Sequence, residues 1–471
     1  MLNDPIIIPA LTDGEQSTLD LLLKQLEDKQ GRNLLRAAYY DGKRAIRQVG
    51  TVIPPQYYHL GLVLGWSAKA VDTLADRCNL DRFVWTDGDL DSIGGSDVFV
   101  GNELGLEVSS GIVSSLVHGV EFAINTRGDQ SAGEPASLIH FKDATSATGV
   151  WNARTRHLDN LLSVTGRNAE GFINSFALYL DNLTILGEKD ENGWSIERQE
   201  HPWGVPVEPL VFKPSSRRRM GTSRISRAVM SLHDQALRTV IRMEGHMDVY
   251  SNPQMWLLGA DESIFKNPDG TMKAGWQLML GRFFGIPDDE GAANPRAEVH
   301  QVKASDPDPH LKALKQQAQL FSGETSIPLT SLGVSDMSNP TSADSYIASR
   351  EDLIALAEKA TDDWWGPRLG RTFQRALAIA NDLDEIPDSW ATIAPKWRPP
   401  IYLSRAAQAD AGLKQMQAVP WLAETEVGLE LLGLNDQQIK RALADRRRTE
   451  GRGVLDALRQ AAGRVADAAA D

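Results

Sequence analysis

The stretch from Thr325 to Asn381 constrains this chain more than any other. Ile327 to Ser342 is rich in Pro, Gly, Ser and Asn, the composition of an irregular loop. Ser342 or Asp344 can then cap a helix, because a short side-chain oxygen satisfies an orphan N–H of the first turn. Tyr346, Ile347, Leu353, Ile354, Ala357, Ala360, Trp364 and Trp365 recur at helical spacing, one face of a long amphipathic helix. Gly366-Pro367 should kink it, since Pro removes a ladder hydrogen bond and its ring presses on the preceding turn. The pattern resumes at Leu369, Phe373 and Leu377. On physics alone this is a surface loop followed by a core helix.

Composition sets the outer limits. With 471 residues there is room for two or more domains, and 42% hydrophobic with 24% charged residues is ordinary for a folded protein. The single cysteine, Cys78, excludes an intramolecular disulfide and a thiolate zinc cluster. The opening MLNDPIIIPAL lacks the basic start of a signal peptide, and no apolar run approaches the roughly 20 residues that cross a bilayer. These features predict a protein made in the cytosol without a membrane anchor. Lys+Arg number 49 against 63 Asp+Glu, a net charge of −14. That balance argues against tight binding along a DNA backbone, where affinity comes from neutralising phosphates.

Along the chain, Leu11 to Asp28 predicts a helix with Leu19, Leu22, Leu23 and Leu26 as its stripe, and Leu62 to Cys78 a second helix. From Phe83 to Phe212, short apolar runs separated by Gly, Asp and Asn read as strands and hairpins, interrupted by a helix near Val108 to Val120. Thr222 to Tyr250 predicts a helix of about 43 Å. Ile225, Val229, Leu232, Ala236, Val240, Met243 and Met247 fall on one side of it, with Arg224, Arg227, Arg238 and Arg242 opposite. Asn252 to Asp306 looks like a small inserted unit with an NPDG turn and a RAEVHQVKA strand. Asp306-Pro307-Asp308-Pro309 starts another helix, striped by Leu311, Leu314, Ala318 and Phe321. WATIAPKWRPPIYLS is extended, and Arg405 to Ala470 reads as several short helices, among them Ala423 to Leu432 and Asp436 to Arg448.

Chemistry-bearing motifs are scarce. There is no Gly-rich phosphate loop with Lys-Ser/Thr, no His-Glu-x-x-His and no Gly-x-Ser-x-Gly, so no catalytic residue, cofactor or metal site is assigned. Asp87, Asp89 and Asp91 fail as a calcium loop, because Ser92 stands where Gly is needed and Val98 where Glu is needed. Arg446, Arg447 and Arg448 are either a solvated helix end or a DNA contact. The abundant carboxylates leave open an acidic, metal-dependent nuclease or another DNA-processing enzyme.

The order of these motifs carries a resemblance. A helix, then I-P-x-x-x-L-G (Ile327, Pro328, Leu332, Gly333), then N-P-x-S-A-D (Asn339, Pro340, Ser342, Ala343, Asp344), then a long kinked helix resembles the tunnel loop and tunnel helix of tailed-bacteriophage portal proteins, the siphophage portal family in particular. Tyr39, Tyr40 and Gly42 resemble that family's early tyrosine-glycine segment. Gly204, Pro206, Pro209, Pro214 and Arg217 to Gly221 resemble its segment before the first stem helix. The resemblance implies a mixed α/β (α+β) portal fold: N-terminal helices and wing 1–221, stem helix 222–251, clip 252–306, second stem helix 307–324, tunnel loop and kinked helix 325–381, return to the wing 382–404, and helical crown 405–471. It implies a dodecameric ring at a capsid vertex, assembled in the cytoplasm of a bacterial host and then part of the virion. Double-stranded DNA would be packaged and ejected through it, with no cofactor and no chemistry of its own. Its partners would be the terminase large subunit, a head–tail adaptor, and the major capsid and scaffolding proteins. Ser335, Asp336, Ser338 and Asn339 would then face DNA, and Arg224, Arg227, Arg238 and Arg242 would face a neighbouring subunit.

Overall fold

The computed structural model describes residues 6–43, 61–191, 193–250, 255–258, 266–271, 291, 298–301, 306–334, 350–401, 405–435 and 437–452. The chain forms two compact units, Met1–Pro400 and Ile401–Asp471. Helices and strands are mixed, as the sequence pattern predicts.

The first unit is layered. Helix α1 (Asp13–Tyr40) starts on a capping box: the Thr12 hydroxyl accepts from the Glu15 N–H and the Glu15 carboxylate accepts from the Thr12 N–H. Its leucines, Leu19, Leu22, Leu23 and Leu26, are buried against one face of an antiparallel five-stranded sheet. That sheet runs in sequence order through β4 (Ala147–Trp151), β5 (Leu158–Arg167), β6 (Ile173–Leu180), β7 (Leu183–Asp190) and β8 (Gly193–Glu200). Alternation divides its residues between two cores. Leu162, Val164, Phe176, Leu178 and Ile185 meet α1, while Leu161, Ala177 and Tyr179 meet a second sheet. The second sheet has the order β3 (Ser137–Asp143), β2 (Val120–Arg127), β9 (Val207–Val211). Phe122, Ile124, Val207 and Val211 line the inter-sheet core, and Ala123, Ile139 and Leu210 join a third core together with helix α4 (Leu104–His118).

That third core also holds α2 (Trp66–Ala75), α3 (Gly95–Gly101) and the helix that follows the candidate loop. The Pro-rich segment beyond that helix returns as β12 (Ile393–Trp397), antiparallel to β1 (Leu80–Trp85) with Phe83 opposite Pro395. Phe83 stacks on Phe373 at 3.8 Å between ring centres.

Helices α5 (Arg227–Tyr250) and α6 (Asp308–Thr325) lie antiparallel. Ser226 reaches Glu324, Thr239 accepts from Gln317 at 3.0 Å, and His246 meets His310 edge-on. α5 begins five residues later than the pattern predicts, because Thr222 and Arg224 donate their N–H groups to Phe212 and Leu116 across the core. Its buried side is also rotated toward its far end: Leu237 and Ile241 are buried, while Met247 is exposed. On α6, Ala318 and Phe321 are fully buried but Leu311 is 46% exposed. The pair is therefore buried toward its base, while Met247 and Leu311 are exposed toward its far end. Between the two helices, β10 (Met255–Leu258) pairs with β11 (Glu298–Gln301). The predicted NPDG turn forms, with Gly270 at φ 83° and the Asp269 carboxylate accepting from Thr271.

The second unit is helical: α9 (Arg405–Ala418), a tight turn at Pro420–Glu424, α10 (Glu426–Leu431) and a helix over 437–452. Thr425 caps α10, and Asn435 and Gln438 exchange side-chain hydrogen bonds with each other's N–H at the start of the last helix.

Candidate functional site

The long helix after the loop is interrupted rather than simply bent. α7 (Glu351–Lys359) passes through a π-helical turn, Ala360–Trp365, into α8 (Gly366–Ala380). The cause lies in two adjacent residues. Pro367 cannot donate, and in an unbroken α-helix its ring would press on the carbonyl four residues back. The wider turn relieves this, with the Gly366 N–H donating to Thr361 O, five residues back. Gly366 is required by that approach: a Cβ there would sit 2.5 Å from Thr361 O. The turn is anchored by Trp365, fully buried, whose indole Nε1 donates to Ser115 Oγ at 3.2 Å. Ser115 in turn donates to Leu210 O of β9. The predicted start of this helix, at Ser342 or Asp344, lies outside the described residues.

α8 is tied to the second sheet by a buried charge cluster. Glu208 of β9 has a side chain only 1% exposed. It accepts from Arg375 Nη2 at 3.2 Å and from Arg371 Nη2 at 2.9 Å. Arg375 Nη1 also donates to Asn125 Oδ1, and Asn125 donates back to Thr372 O. Burial pushes the Glu208 carboxyl up, but Arg375 and Arg371 pull harder and hold it below the usual carboxylate range. Arg368, one turn earlier, lies over the Trp151 ring at 5.1 Å. The helix after the loop is thereby fixed to a rigid sheet.

The loop itself is described only at its entry. Thr325 and Ile327 are buried, Pro328 leads into a single tight turn at Leu329–Leu332, and Gly333 ends it at φ 74°. Ser335, Asp336, Ser338 and Asn339 lie outside the described residues.

The arginines assigned to the α5 face separate into two groups. Arg227 and Arg242 are exposed and Arg238 is half-buried. Arg224 precedes the helix and is buried in the chain's own core, where Nε donates to Ala70 O and Nη2 to Thr325 O at 2.7 Å. Burial pulls its pKa down to about 10. It joins α2 to the end of α6 and so holds the root of the helix pair. Counting it into a surface stripe follows from helical phase, and fails because the helix has not yet begun at that position.

Other sequence candidates find local duties. Asp89 caps a short turn, Asp91 accepts from Ser96, and Asp87 accepts from Thr392 at 2.7 Å. Among the described residues no three His, Cys, Asp or Glu side chains gather closely enough to hold a metal ion. Arg446 pairs with Glu450 and Arg448 with Asp445 along the last helix, all on exposed positions.

Two features escaped the sequence reading. One is the Glu208–Arg375 pair, although an acid inside the apolar strand VEPLV and arginines spaced three and seven residues along α8 are its visible signal. The other is a cleft of about 590 Å³ among α1, α4 and β3, lined by Tyr40, Asp41, Glu107, His118, Glu121 and Asp143. Burial pushes the Glu121 carboxyl well above its ordinary value, against a hydrogen bond from Ser114. No sequence signal marks that cleft.

Comparison with known proteins gives consistent relatives. The family profile described as "Phage portal protein, SPP1 Gp6-like" matches residues 20–452. The chain is 25% identical over 407 residues to the portal protein of Mycobacterium phage D29, covering 84% of this chain and 81% of the relative. It is 23% identical over 403 residues to the portal protein of Mycobacterium phage L5, covering 83% and 80%. Among solved structures it is similar to a chain in the neck of a native GTA particle computed with C12 symmetry, at 14% identity and a TM-score of 0.39 over 78% of this chain and 89% of that one. A chain in the neck of an empty GTA particle computed with C6 symmetry matches at 14% identity and a TM-score of 0.41, over 78% and 90%.

Proposed function

The chain belongs to the SPP1 Gp6-like family of phage portal proteins, and from that premise we propose that it assembles as a dodecameric ring at one vertex of a capsid. Viral double-stranded DNA is packaged and ejected through the ring. The terminase large subunit and a head–tail adaptor dock on it in turn, and the major capsid and scaffolding proteins hold its rim. The packaging energy comes from the terminase; this chain supplies a passage and no chemistry. The match over residues 20–452 carries the reading, and the nuclease alternative has no support beside it.

The geometry fits these roles. The antiparallel pair α5/α6 supplies a stem, with Arg227, Arg238 and Arg242 toward neighbouring copies. Its far end, with Met247 and Leu311 exposed, suits a docking end. Residues 252–306 form the clip, 1–221 with 382–404 the wing, and 405–471 the crown. The loop after Gly333 reaches the channel, where Ser335, Asp336, Ser338 and Asn339 touch DNA without the salt-dependent grip of Lys or Arg.

Ser338→Lys with Asn339→Lys tests this. Rings should form normally while the DNA length per particle falls, because a basic loop grips phosphates that must slide past. Normal packaging by the double variant would return the stretch to an ordinary surface loop.

A further inference from the structure

We propose that Arg368 and Arg371 together bind a carboxylate presented by the neighbouring copy of this chain in the ring. The inference rests on the ring reading and adds a specific subunit contact to it, separate from the α5 arginines.

The charge count of the cluster is unbalanced. α8 sets Arg368, Arg371 and Arg375 on one side of a helix, at spacings of three, four and seven residues. Among the described residues a single carboxylate, Glu208, pairs with any of them. Arg375 is consumed by that pair, with its side chain only 10% exposed and its second nitrogen on Asn125. Arg371 spends one nitrogen on Glu208 and keeps its side chain 38% exposed. Arg368 makes no ion pair among the described residues; it lies on the Trp151 ring. Three fixed guanidinium charges thus face one negative charge in a partly dehydrated recess, where like charges are poorly screened. Burial already lowers the pKa of Arg368, and Arg371 lowers it further against the pull of Glu208.

An anion relieves this surplus, and the burial of the arginines chooses among anions. Arg375 is recessed, and Arg368 is held flat against an indole. A duplex backbone needs protruding cations, whereas one carboxylate on a side chain can enter and be gripped by a planar guanidinium fork. The chain itself offers such groups in excess, with 63 Asp+Glu against 49 Lys+Arg. In a cyclic ring each copy presents one patch to a different patch on the next, so a cationic recess on one side calls for an acidic side chain on the other.

The test converts the contact into a covalent bond. Arg371→Lys and, separately, Arg368→Lys keep the positive charge. Rings are assembled from a mixture of light and heavy nitrogen-labelled subunits, treated with a zero-length carbodiimide that joins amines to carboxylates, and digested for mass spectrometry. The expected product is a mixed-label peptide pair joining position 371 or 368 to an Asp or Glu peptide of another copy, lost when rings are dissociated before treatment. Crosslinks to Glu208 of the same chain alone, in rings verified by electron microscopy, would overturn the proposal while leaving the ring intact. Failure of the unsubstituted chain to form rings would overturn the ring reading and this proposal with it. A second arm measures short duplex DNA binding to unassembled subunits by anisotropy. Arg371→Gln should leave it unchanged within twofold, and a tenfold loss would assign the recess to phosphate instead.

Discussion

Replacing Glu208 by Gln should be among the most damaging single changes in the first unit, and the structure sets its size. The substitution is nearly isosteric, so packing is preserved and the loss is electrostatic. Arg375, 10% exposed, is left as an uncompensated cation beside Asn125. Removing one partner of a buried pair costs about 3–5 kcal/mol. Arg371 is 38% exposed and water replaces its partner, so its share is about 0.5 kcal/mol or less. The Gln carbonyl can still accept one hydrogen bond from Arg375, which places the expected cost near the lower end, about 3 kcal/mol. Pairing Glu208→Gln with Arg375→Met should recover much of it, because the buried cation goes too. The pH dependence follows from the depressed carboxyl of Glu208. A lowered folded pKa stabilises above the ordinary carboxylate range, and that contribution is lost as pH falls through the folded value. The gap between wild type and Glu208→Gln should therefore be full at pH 7 and close as the solution is taken below about pH 4. Urea unfolding of unassembled subunits, followed by tryptophan fluorescence, measures it. A cost under about 0.5 kcal/mol at pH 7, or one that persists unchanged into acid, would refute the reasoning.

Three further outcomes are expected. Gly366→Ala drives a Cβ against Thr361 O and should lower stability by about 1–3 kcal/mol, seen as an earlier thermal transition; an unchanged midpoint would mean that the turn has another route past Pro367. Arg238→Glu with Arg242→Glu should shift rings toward smaller species in light scattering while circular dichroism stays constant, and unaltered rings would mean that these arginines do not hold neighbouring copies together. Glu121 has a raised folded pKa, so the folded state holds its proton longer than the unfolded one and stability falls as pH rises past about 4.5. Glu121→Gln should accordingly raise the melting temperature at pH 8 and do nothing at pH 4; a loss at both would show that the carboxyl itself is needed.

Legibility in the sequence followed the range of the interaction. Leu19, Leu22, Leu23 and Leu26 of α1, the strand and hairpin blocks over 137–200 and the NPDG turn are local patterns, and each forms where the pattern puts it, whereas the apolar run Val98-Phe99-Val100, read with the strands, is helical and lies in α3. The break at Gly366-Pro367 was legible as chemistry, but its form was not. The π turn is anchored by Trp365 reaching Ser115, which is distant in sequence. Arg224 shows the same limit: helical phase continues through it, yet its guanidinium is drawn inward by the Ala70 and Thr325 carbonyls. The return of Ile393–Trp397 was visible as an extended run, but its pairing with β1 joins segments far apart in the chain and left no local signal. Glu208 and its arginines were each visible, and only tertiary contact made them a cluster. The motifs around Ile327, Pro328, Leu332 and Gly333 pointed to the family before any fold was in view.

The central claim is that this chain acts as one segment of a closed ring around a DNA-wide channel. Cryo-electron microscopy of the purified full-length protein tests it most directly. A ring of twelvefold symmetry is expected, with α5 and α6 of each copy side by side around the channel and the loop after Gly333 at its narrowest point. A compact monomer or dimer at every protein concentration, with no central opening, would contradict it.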